Sequence, residues 1–458
     1  MRMFREGLRR LGKPFRNMQP GRLIVLVFIG IILLGAGLLC LPAASRSGTP
    51  TPFLTSLFTA TSATCVTGLI RVDTGTHWAM FGQVVILLLI QVGGLGFMTI
   101  ACLFLFALRR KISLRERMLL AQALGSDSYS GIVSLVRNIL RGTAAVEGIG
   151  ALILFFRFLP EFGCLKALWY GVFHSVSAFC NAGFDVLGDV DAGGSLCRYA
   201  TDPVVNFTLM ALIVIGGLGF AVWGDIRHNR RFSHMRVYTR LVVLITAALI
   251  FGGAAVFAAL EWNNPATLGG FTAPQKLMAA LFQSVTLRTA GFVTFDQNAL
   301  SDVSKAAADL LMLVGGSSGS TAGGVKTVTV GVILISAWST ARGRTSAQVM
   351  KRRIPQQAVA NASALFILVL LLSALGACFL SLADGVSLEN ALYETISALC
   401  TVGITTGITS TLCTASQLVL IVLMFFGRLG IMTISVGFIA ADRAEDRIRY
   451  AETKIMIG

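Results

Sequence analysis

Four short segments of related sequence recur along this chain, and each of them runs into a single glycine. They read SLFTATSATCVTGL (residues 56–69), GVFHSVSAFCNAGF (171–184), ALFQSVTLRTAGF (280–292) and ALYETISALCTVGI (391–404). Their glycines, at positions 68, 183, 291 and 403, recur every 108 to 115 residues. A lone glycine after a helix is usually a helix C-cap, but a fixed long period is typical of repeated structural units. The chain therefore has to place four equivalent segments, which favours a pseudo-fourfold arrangement around one axis.

The composition of the chain indicates whether it folds in water or in a membrane. Of its 458 residues, 55% are hydrophobic and 13% are charged, and the mean hydropathy is +0.77. Such a chain would expose more apolar surface than a soluble fold tolerates, so we expect an integral membrane protein. The first apolar run, residues 23–41, is long enough to cross a hydrocarbon core of about 30 Å. A cleaved signal peptide is the alternative, but its apolar region would exceed the usual range of about 7 to 15 residues.

Five clusters of Lys and Arg separate the apolar regions. They lie within residues 2–22, 109–117, 227–240, 342–353 and 443–454, whereas the stretches between them carry mainly Asp. By the positive-inside rule all five clusters are cytoplasmic. The chain then crosses the membrane an even number of times between successive clusters, and both termini are cytoplasmic. The net charge of +16 reflects this topology and contact with anionic membrane lipids, and we expect no nucleic-acid binding.

Glycine-rich segments also recur downstream of the four short segments. They are GGLGFMTI from position 93, GGLGFAVW from 216, GGSSGSTAGG from 315 and GRLGIMTI from 427. Apolar segments precede the short ones, near residues 23–41, 138–159, 239–261 and 360–382. The predicted unit is a first helix (M1), a re-entrant half-helix with its pore loop, and a second helix (M2). The predicted order is a cytosolic basic N-terminus (1–22), repeats 1 to 4 (23–108, 138–226, 239–341 and 360–441) and a cytosolic C-terminal tail (442–458).

This unit predicts an all-α integral membrane protein with four M1–pore-loop–M2 repeats around one pseudo-fourfold pore. Irregular backbone at membrane depth is tolerated only where it is buried in protein or lines a water-filled cavity. Four loops around one axis provide such a cavity, and their carbonyl oxygens can replace the water shell of a cation. The half-helices would point their negative dipole ends at that cation.

The stretch GGSSGSTAGGVKT, residues 315–327, breaks the predicted M2 helix of the third repeat. It resembles a phosphate-binding loop, but Val325 stands where the pattern that starts at Gly319 requires a lysine, and Lys326 comes one residue late. An ordinary flexible break in a helix is one interpretation. A gate is the other, because the segment follows the third loop and would cross the conduction path just below it.

Arg428 lies in FFGRLGIM, about 11 residues into a helix expected to begin near Gln417 and hence roughly 16 Å along it. An arginine at the bilayer centre carries an insertion cost of roughly 2.5 to 3.5 kcal/mol. We therefore expect Arg428 to face the interior of the bundle. Snorkelling of the side chain to an interface is the alternative.

With these motifs in place, the chain is similar to the Trk/Ktr/HKT superfamily of K⁺ transporters, closest to the Ktr-type membrane subunits (KtrB). The four glycine-ended loops, SVTLRTAGF and GGSSGSTAGGVKT carry the resemblance, which covers about residues 22–441. It implies K⁺ uptake across a bacterial inner (plasma) membrane by a multi-pass homodimer with one pore per subunit. It also implies a KtrA-like cytosolic ring of regulator-of-K⁺-conductance subunits that binds ATP or ADP, so no cofactor is expected in this chain. A Trk-type K⁺ transporter and a less selective Na⁺/K⁺ permease remain as alternatives, and Na⁺ dependence stays open.

The resemblance also implies the site residues. The filter, with K⁺ held at its carbonyl oxygens, maps onto Val66, Thr67 and Gly68; Asn181, Ala182 and Gly183; Thr289, Ala290 and Gly291; and Thr401, Val402 and Gly403. The gate maps onto Gly315, Gly316, Ser317, Ser318, Gly319, Ser320, Thr321, Ala322, Gly323, Gly324, Lys326 and Arg428. Because the four loops differ in sequence, we expect less regular carbonyl spacing and less stringent selection of K⁺ over Na⁺.

Three cysteines, Cys65, Cys180 and Cys400, share one repeat position, which Arg288 occupies in the third repeat. A soft-metal site is conceivable there, but packing behind the filter is the favoured interpretation. We expect Arg288 to point away from the ion, toward an acid or a helix C-terminus. No catalytic arrangement of side chains is recognisable in the sequence, so the chain is not expected to be an enzyme. A secondary transporter with inverted repeats is disfavoured because all four repeats have one orientation.

Overall fold

The computed structural model describes residues 20–96, 132–189, 195–344 and 346–430, which are mostly helical. The helices are α1 (Pro20–Leu39), α2 (Phe53–Cys65), α3 (Thr74–His77), α4 (Met80–Leu95), α5 (Ile132–Cys180), α6 (Pro203–Leu218), α7 (Phe220–His228), α8 (Val237–Glu261), α9 (Ala273–Thr286), α10 (Asp302–Met312), α11 (Thr327–Ala341), α12 (Gln356–Asp384), α13 (Leu388–Leu399) and α14 (Thr414–Leu429). Short 3₁₀ turns lie at Pro42–Ala44, Leu187–Asp189, Cys197–Tyr199, Phe232–His234 and Gln297–Ala299.

Some predicted features lie outside the described residues. They are most of the basic N-terminus (1–19), the end of the first repeat (97–108), the basic clusters at 109–117 and 443–454, the end of the fourth repeat (431–441) and the tail (442–458).

Four helices in the described part of the chain are long and apolar enough to cross a membrane, namely α1, α5, α8 and α12. The bent pair α6–α7 makes a fifth candidate. Large apolar side chains on these long helices face outward, among them Leu34, Phe251 and Leu382. Such exposure suits lipid tails and not water. The predicted class, a helical membrane protein, is thus supported by both length and surface.

The short predicted helices are present in every repeat. α2, α9 and α13 have 13, 14 and 12 residues, hence lengths of roughly 20 Å, too short to span the bilayer. The fourth is the last part of α5, which changes direction at Gly163, where φ is 72° and ψ is 172°. The sequence sets their starts: Thr272 and Gln275 form a capping box on α9, and the Ser387 hydroxyl caps α13. Their C-terminal ends are buried, as residues 58–65 and 393–399 show.

The M2 helices end at one common position. α4, α6 and α14 stop at Leu95, Leu218 and Leu429, and the glycine that follows each has a positive φ, 78° at Gly96, 93° at Gly219 and 81° at Gly430. After Gly219 the chain continues as α7, at 93° to α6. In the third repeat, residues 313–326, all of them described, separate α10 from α11 and form no helix. A break was predicted in the third M2 helix, whereas the bend between α6 and α7 was not predicted.

A small β-hairpin lies between α11 and α12, in the basic cluster for which no helix or strand was predicted. β1 (Gln348–Val349) and β2 (Arg352–Arg353) pair antiparallel. The turn residues Met350 and Lys351 have φ of 47° and 64°. Two successive left-handed residues match the twist of a tight hairpin, so this basic segment is locally ordered.

Two clusters of buried apolar side chains fill the interior. One contains residues of repeats 1 and 2 together with Phe282 and Ala290 of the third repeat. The other contains residues of repeats 3 and 4 together with Phe58 and Leu69 of the first. Each cluster thus reaches into a neighbouring repeat, and helices α14 and α2 pack together. The fourth repeat therefore contacts the first, which closes the bundle.

Candidate functional site

The four loops that follow the short helices share an unusual backbone. The first residue of each has a left-handed φ without being glycine: 57° at Val66, 59° at Asn181, 65° at Thr289 and 53° at Thr401. Such a conformation costs of order 1 to 3 kcal/mol in a residue with a Cβ and persists only where the surroundings enforce it. Two residues later comes a glycine with φ of 100° at Gly68, 69° at Gly183, 86° at Gly291 and 88° at Gly403. One strained backbone is therefore built four times from four different sequences.

These four glycines, here called the glycine ring, lie next to one another in chain order. A Cβ added to Gly68 would lie 2.5 Å from the carbonyl oxygen of Ala182, and one on Gly183 would lie 2.6 Å from Cα of Gly291. A Cβ on Gly291 would meet the carbonyl oxygen of Val402 at 2.8 Å, and one on Gly403 would overlap that of Thr67. No side chain fits at any of the four positions. The loops of repeats 1, 2, 3 and 4 thus form a closed ring.

The backbone amides of these loops are tied back to the short helices. Thr67, Ala182 and Val402 donate N–H bonds to the carbonyl oxygens of Ser62, Ser177 and Ser397 at 2.8, 2.7 and 2.8 Å, and Ala290 donates to Thr286 at 2.9 Å. In the described part of the chain, no hydrogen-bond donor meets the carbonyl oxygens of Thr67, Ala182, Ala290 or Val402. A buried carbonyl normally has a partner. The ring therefore holds carbonyl oxygens that remain available as acceptors.

A hydroxyl at one repeat position braces each loop, and sequence reasoning missed it. Ser62 and Ser397 accept the N–H of Gly68 and Gly403 at 3.0 and 3.1 Å. Ser177 and Thr286 donate to the carbonyl oxygens of Phe184 and Phe292 at 2.7 and 2.6 Å. The signal was available, because Ser or Thr stands six residues before the glycine in repeats 1, 2 and 4 and five before it in repeat 3.

The segment from Gly315 to Gly324, here called the Gly/Ser-rich loop, lies against the ends of the short helices. The hydroxyl of Thr321 donates to the carbonyl oxygen of Phe179 at 2.9 Å. A Cβ on Gly323 would overlap the hydroxyl of Thr401, and one on Gly324 would lie 2.9 Å from the carbonyl oxygen of Cys400. The loop thus touches Thr401, the first residue of the fourth ring segment, and Phe179 and Cys400 near the ends of two short helices.

The Gly/Ser-rich loop also fits into the bend between α6 and α7. The amides of Ser317 and Thr321 donate to the carbonyl oxygens of Gly217 and Gly216 at 2.9 and 3.3 Å. In return, the amide of Phe220 donates to Gly319 at 2.9 Å. From α8, the hydroxyl of Tyr238 donates to the carbonyl oxygen of Ser318 at 3.1 Å. The second repeat therefore holds the loop of the third.

Backbone hydrogen bonds join the two ends of the Gly/Ser-rich loop. Gly315 donates to the carbonyl oxygen of Val325 at 2.9 Å, and Thr327 donates to that of Gly316 at 3.1 Å. Ser320 and Ala322 lie between these anchors, and Ala322 is buried. All the residues assigned to the gate from Gly315 to Gly324 are thus in one compact loop.

Two cationic side chains hold the loop in addition. Lys326 donates from Nζ to the carbonyl oxygens of Ala322 and Gly323 at 2.9 and 3.3 Å. Arg428 donates from Nη1 to that of Thr321 at 2.5 Å, and from Nη2 to Gly93 and, at 3.1 Å, to Gly94. Arg428 thus joins the loop to the M2 helix of the first repeat.

Arg428 does not occupy the mid-helix position that its sequence position predicted. Its helix α14 begins at Thr414 and ends at Leu429, so Arg428 lies in the last turn. A cation is favoured there by the negative end of the helix dipole. The interior orientation predicted for its side chain agrees with its contacts to the loop and to α4.

Arg288, the residue at the cysteine position of the third repeat, is buried. Its Nη2 lies 3.4 Å from the carbonyl oxygen of Gly315 and 3.5 Å from the hydroxyls of Thr246 and Thr327. Gly315 follows the C-terminus of α10, which is one of the two destinations expected for this side chain. The related cysteines at 65, 180 and 400 are buried and free. In the described residues, no group of three or more His, Cys, Asp and Glu side chains could hold a metal.

The segment that connects the first loop to its M2 helix contains the short helix α3. Asp73 accepts the N–H of Thr76 at 2.7 Å and caps α3. At the other end of α3, partial burial lowers the pKa of His77, whose Nε2 lies 3.1 Å from the hydroxyl of Thr51. Partial burial thus favours the neutral form of this imidazole.

Strained loops, unpartnered carbonyl oxygens and a surrounding set of apolar helices together define a membrane protein that handles a small cation. The family described as TrkH, cation transport protein, matches residues 25–447. This chain belongs to that family. Because its members are ion transporters, the prediction that the chain is not an enzyme is confirmed.

Two curated relatives are similar over nearly their whole length. The potassium/sodium uptake protein NtpJ of Enterococcus hirae is 41% identical over 448 residues, which cover 97% of this chain and 98% of that protein. The Ktr system potassium uptake protein B of Bacillus subtilis is 38% identical over 441 residues, 96% of this chain and 97% of that protein. Among solved structures, the potassium transporter TrkH from Vibrio parahaemolyticus matches with a TM-score of 0.70 at 18% identity, over 91% of this chain and 84% of the other. That match supports the fold.

Proposed function

We propose that this chain is a K⁺ uptake transporter of the bacterial plasma membrane, and that the four ring segments form its selectivity filter. The observation that carries the proposal is the ring itself, with amides tied back to the short helices and carbonyl oxygens left without donors. Carbonyl oxygens suit an alkali cation that has shed its water. The names of the relatives, which are K⁺ uptake proteins, agree with this ligand.

The filter proposed from the sequence includes Val66, Asn181, Thr289 and Thr401 at one level, Thr67, Ala182, Ala290 and Val402 at the next, and the glycine ring at the third. Residues at the first level have a left-handed φ, and those at the third level have a positive φ. This shared backbone gives successive carbonyl groups a similar orientation in all four repeats. The C-termini of the short helices point to the same place, which favours a cation there. One pore in each subunit follows from this arrangement.

The Gly/Ser-rich loop, Lys326 and Arg428 form the proposed gate. Their contacts support this, because the loop lies beside the first filter level and is held by Arg428 and by the α6–α7 bend. Two cationic side chains next to it add an electrostatic barrier for K⁺. Opening then requires that the loop leave these contacts.

Regulation by a partner is also proposed. The relatives named as Ktr system proteins favour a partner subunit, and the family resemblance implies a homodimer on a KtrA-like cytosolic ring with ATP or ADP bound to the ring. The basic clusters of the sequence favour a cytosolic position for both termini and for the β1–β2 hairpin. Nucleotide should therefore change flux only when the ring is present.

A less selective Na⁺/K⁺ permease is the second candidate. The relative from Enterococcus hirae is named a potassium/sodium uptake protein, and the four filter segments differ in sequence. A Trk-type transporter is less favoured, since the chain is 38% identical to the Ktr system protein B of Bacillus subtilis and 18% identical to TrkH from Vibrio parahaemolyticus.

The proposed function is tested by ⁸⁶Rb⁺ uptake into proteoliposomes that contain the purified chain, with K⁺, Na⁺, Cs⁺ and NH₄⁺ as competitors. We expect saturable uptake in which K⁺ competes far better than Na⁺. Equal competition by Na⁺ would select the permease, and absence of cation flux with and without the nucleotide-loaded ring would refute transport.

A further inference from the structure

Glu394 is a fully buried carboxylate in the short helix α13, next to the proposed filter but not part of it. Both of its oxygens are occupied. The hydroxyl of Thr405 donates to Oε2 at 2.8 Å, and the hydroxyl of Thr409 donates to Oε1. A buried carboxylate is tolerated only when it is hydrogen-bonded in this way, so the three side chains form one unit.

The unit is attached directly to the fourth filter segment. Thr405 is two residues beyond Gly403, and its hydroxyl also accepts the N–H of Gly407 at 2.9 Å. Gly407 has a φ of 92° and forms the turn of this return segment. Glu394 therefore fixes the chain that leaves the filter, whereas Ser397, one helical turn away, fixes Gly403 itself.

The same repeat position behaves differently in the other repeats. In the third, Gln283 bonds Gln297 of its return segment at 2.6 Å, and the hydroxyl of Tyr393 also donates to Gln297 at 3.2 Å. In the second, Nδ1 of His174 lies 2.7 Å from the carbonyl oxygen of Tyr170 within its own helix. In the first, the hydroxyl of Thr59 is buried without a partner among the described residues. Among the described residues, the side chain at this repeat position is therefore hydrogen-bonded to the return segment in repeats 3 and 4 only.

We propose that Glu394 is a positioning residue for cation selection, which holds the outer end of the fourth filter segment through Thr405 and Thr409. This inference rests on the proposed filter and adds a residue to it. Selection between cations depends on where the carbonyl oxygens are held and how far they can move. A binding site loses its precision when its supporting shell is loose by a fraction of an ångström. Of the four side chains at this repeat position, only Glu394 is a carboxylate. A carboxylate is the strongest hydrogen-bond acceptor among them, so its bonds to the return segment are the strongest.

The two hydrogen bonds of Glu394 can be removed separately or together by substitution. A carboxylate offers two acceptors for two hydroxyl donors, whereas the amide of Glu394→Gln offers one acceptor and one donor. The amide forces one threonine to reverse its hydroxyl, so this variant should keep part of the tie. Glu394→Leu removes both bonds, and Thr405→Val and Thr409→Val remove one each.

The test measures the ratio of Na⁺ to K⁺ inhibition constants against ⁸⁶Rb⁺ uptake in proteoliposomes with the purified full-length chain. We expect Glu394→Leu to reduce K⁺ preference by about fivefold or more, and Glu394→Gln, Thr405→Val and Thr409→Val to reduce it less. Because the residues act as one unit, Glu394→Leu combined with Thr405→Val should be no worse than Glu394→Leu alone. Controls are Glu389→Gln, an exposed carboxylate on the same helix, and Thr411→Val, an exposed threonine in the same segment; both should keep the wild-type ratio.

If Glu394 only stabilised the fold, its variants would lower the amount of folded protein or the maximal uptake rate and would leave the Na⁺ to K⁺ ratio unchanged. That result would overturn the inference. If Glu394→Leu fails to fold, the ratio in Glu394→Gln and the two threonine variants decides. The variant Gly403→Ser distinguishes failure of this inference from failure of the proposed filter. If Gly403→Ser changes the ratio and none of the Glu394 and threonine variants does, the inference alone fails; if Gly403→Ser also leaves it unchanged, the proposed filter fails.

Discussion

Arg428 donates a hydrogen bond from Nη1 to the carbonyl oxygen of Thr321 at 2.5 Å, across 107 residues of sequence. This bond joins the M2 helix of the fourth repeat to the Gly/Ser-rich loop of the third, while Nη2 binds the carbonyl oxygens of Gly93 and Gly94 in the first. The second repeat holds the same loop through Gly216 and Gly217. The second and fourth repeats thus contact the loop of the third directly, and the first repeat binds the Arg428 side chain that holds it.

Replacement of Arg428 by Gln should increase K⁺ uptake. The change removes the charge and shortens the reach of the side chain, and a hydrogen bond to a charged group contributes roughly 1.5 to 3 kcal/mol. Loss of that stabilisation shifts the loop toward the open state, so we expect an increase of about fivefold or more. The rate of ⁸⁶Rb⁺ uptake by cells that lack other K⁺ systems measures it. Arg353→Gln, an exposed arginine of the β-hairpin, is the matched control; unchanged or lower flux in the Arg428 variant at normal expression would argue against the gate.

Deletion of residues 317–321 should increase uptake further. It removes the segment that bonds Gly216, Gly217 and Arg428, and it also removes the acceptor of Tyr238 at Ser318. The same cellular uptake assay measures the effect. Nucleotide on the partner ring should then change the rate less than in the wild type, and a fully retained nucleotide response would contradict the assignment of this loop.

Gly219→Ala should disturb the α6–α7 bend and the loop together. Gly219 has a φ of 93°, and a Cβ there would lie 2.9 Å from the carbonyl oxygen of Ser318. Strain of this kind costs of order 1 to 3 kcal/mol. We expect lower thermal stability in detergent and a higher basal flux, because the bent helix can no longer receive the loop. Gly224→Ala, a helical glycine of α7 with open space around it, should leave both quantities unchanged.

Ser397→Ala should weaken cation discrimination with little change in fold. It removes the hydroxyl that accepts the N–H of Gly403 at 3.1 Å and leaves that amide without a partner, a loss of about 1 to 3 kcal/mol. The K⁺ to Na⁺ ratio in the competition assay measures the result. Ser410→Ala, an exposed serine of the return segment, serves as the control, and equal ratios in the two variants would count against a role for the bracing hydroxyls.

Much of the architecture could be predicted because the four repeats are visible in the sequence. The short helices before Gly68, Gly183, Gly291 and Gly403 were expected, and they lie where the segments indicated. The bend at Gly219 was missed because Gly-Leu-Gly within an apolar run looks like a continuous helix. The helix that carries Arg428 was placed three residues too late, since Thr414 and Ser416 are polar and the apolar run begins after them.

The position of the site could be predicted from the sequence, but the backbone conformation and the hydrogen bonds that hold it could not. The loop residues could be assigned, but the left-handed φ at Val66, Thr289 and Thr401 could not, because β-branched residues normally avoid that region. The ties of Glu394 to Thr405 and Thr409 depend on how the return segment folds back, which no local pattern specifies. Arg288 likewise found its partners only in the assembled bundle.

The central claim, that four unlike loops form one cation filter, is tested most directly by Gly403→Ser. Gly403 has a φ of 88° and no room for a Cβ, whereas Gly385, at the end of α12, has a φ of 67° and open space around it. Both changes introduce a side chain at a left-handed position, so Gly385→Ser controls for strain. The measurement is the ratio of Na⁺ to K⁺ inhibition constants for ⁸⁶Rb⁺ uptake in proteoliposomes. A ratio that falls toward one in Gly403→Ser and stays at the wild-type value in Gly385→Ser is the predicted result; a wild-type ratio with retained K⁺ affinity in Gly403→Ser would contradict the claim.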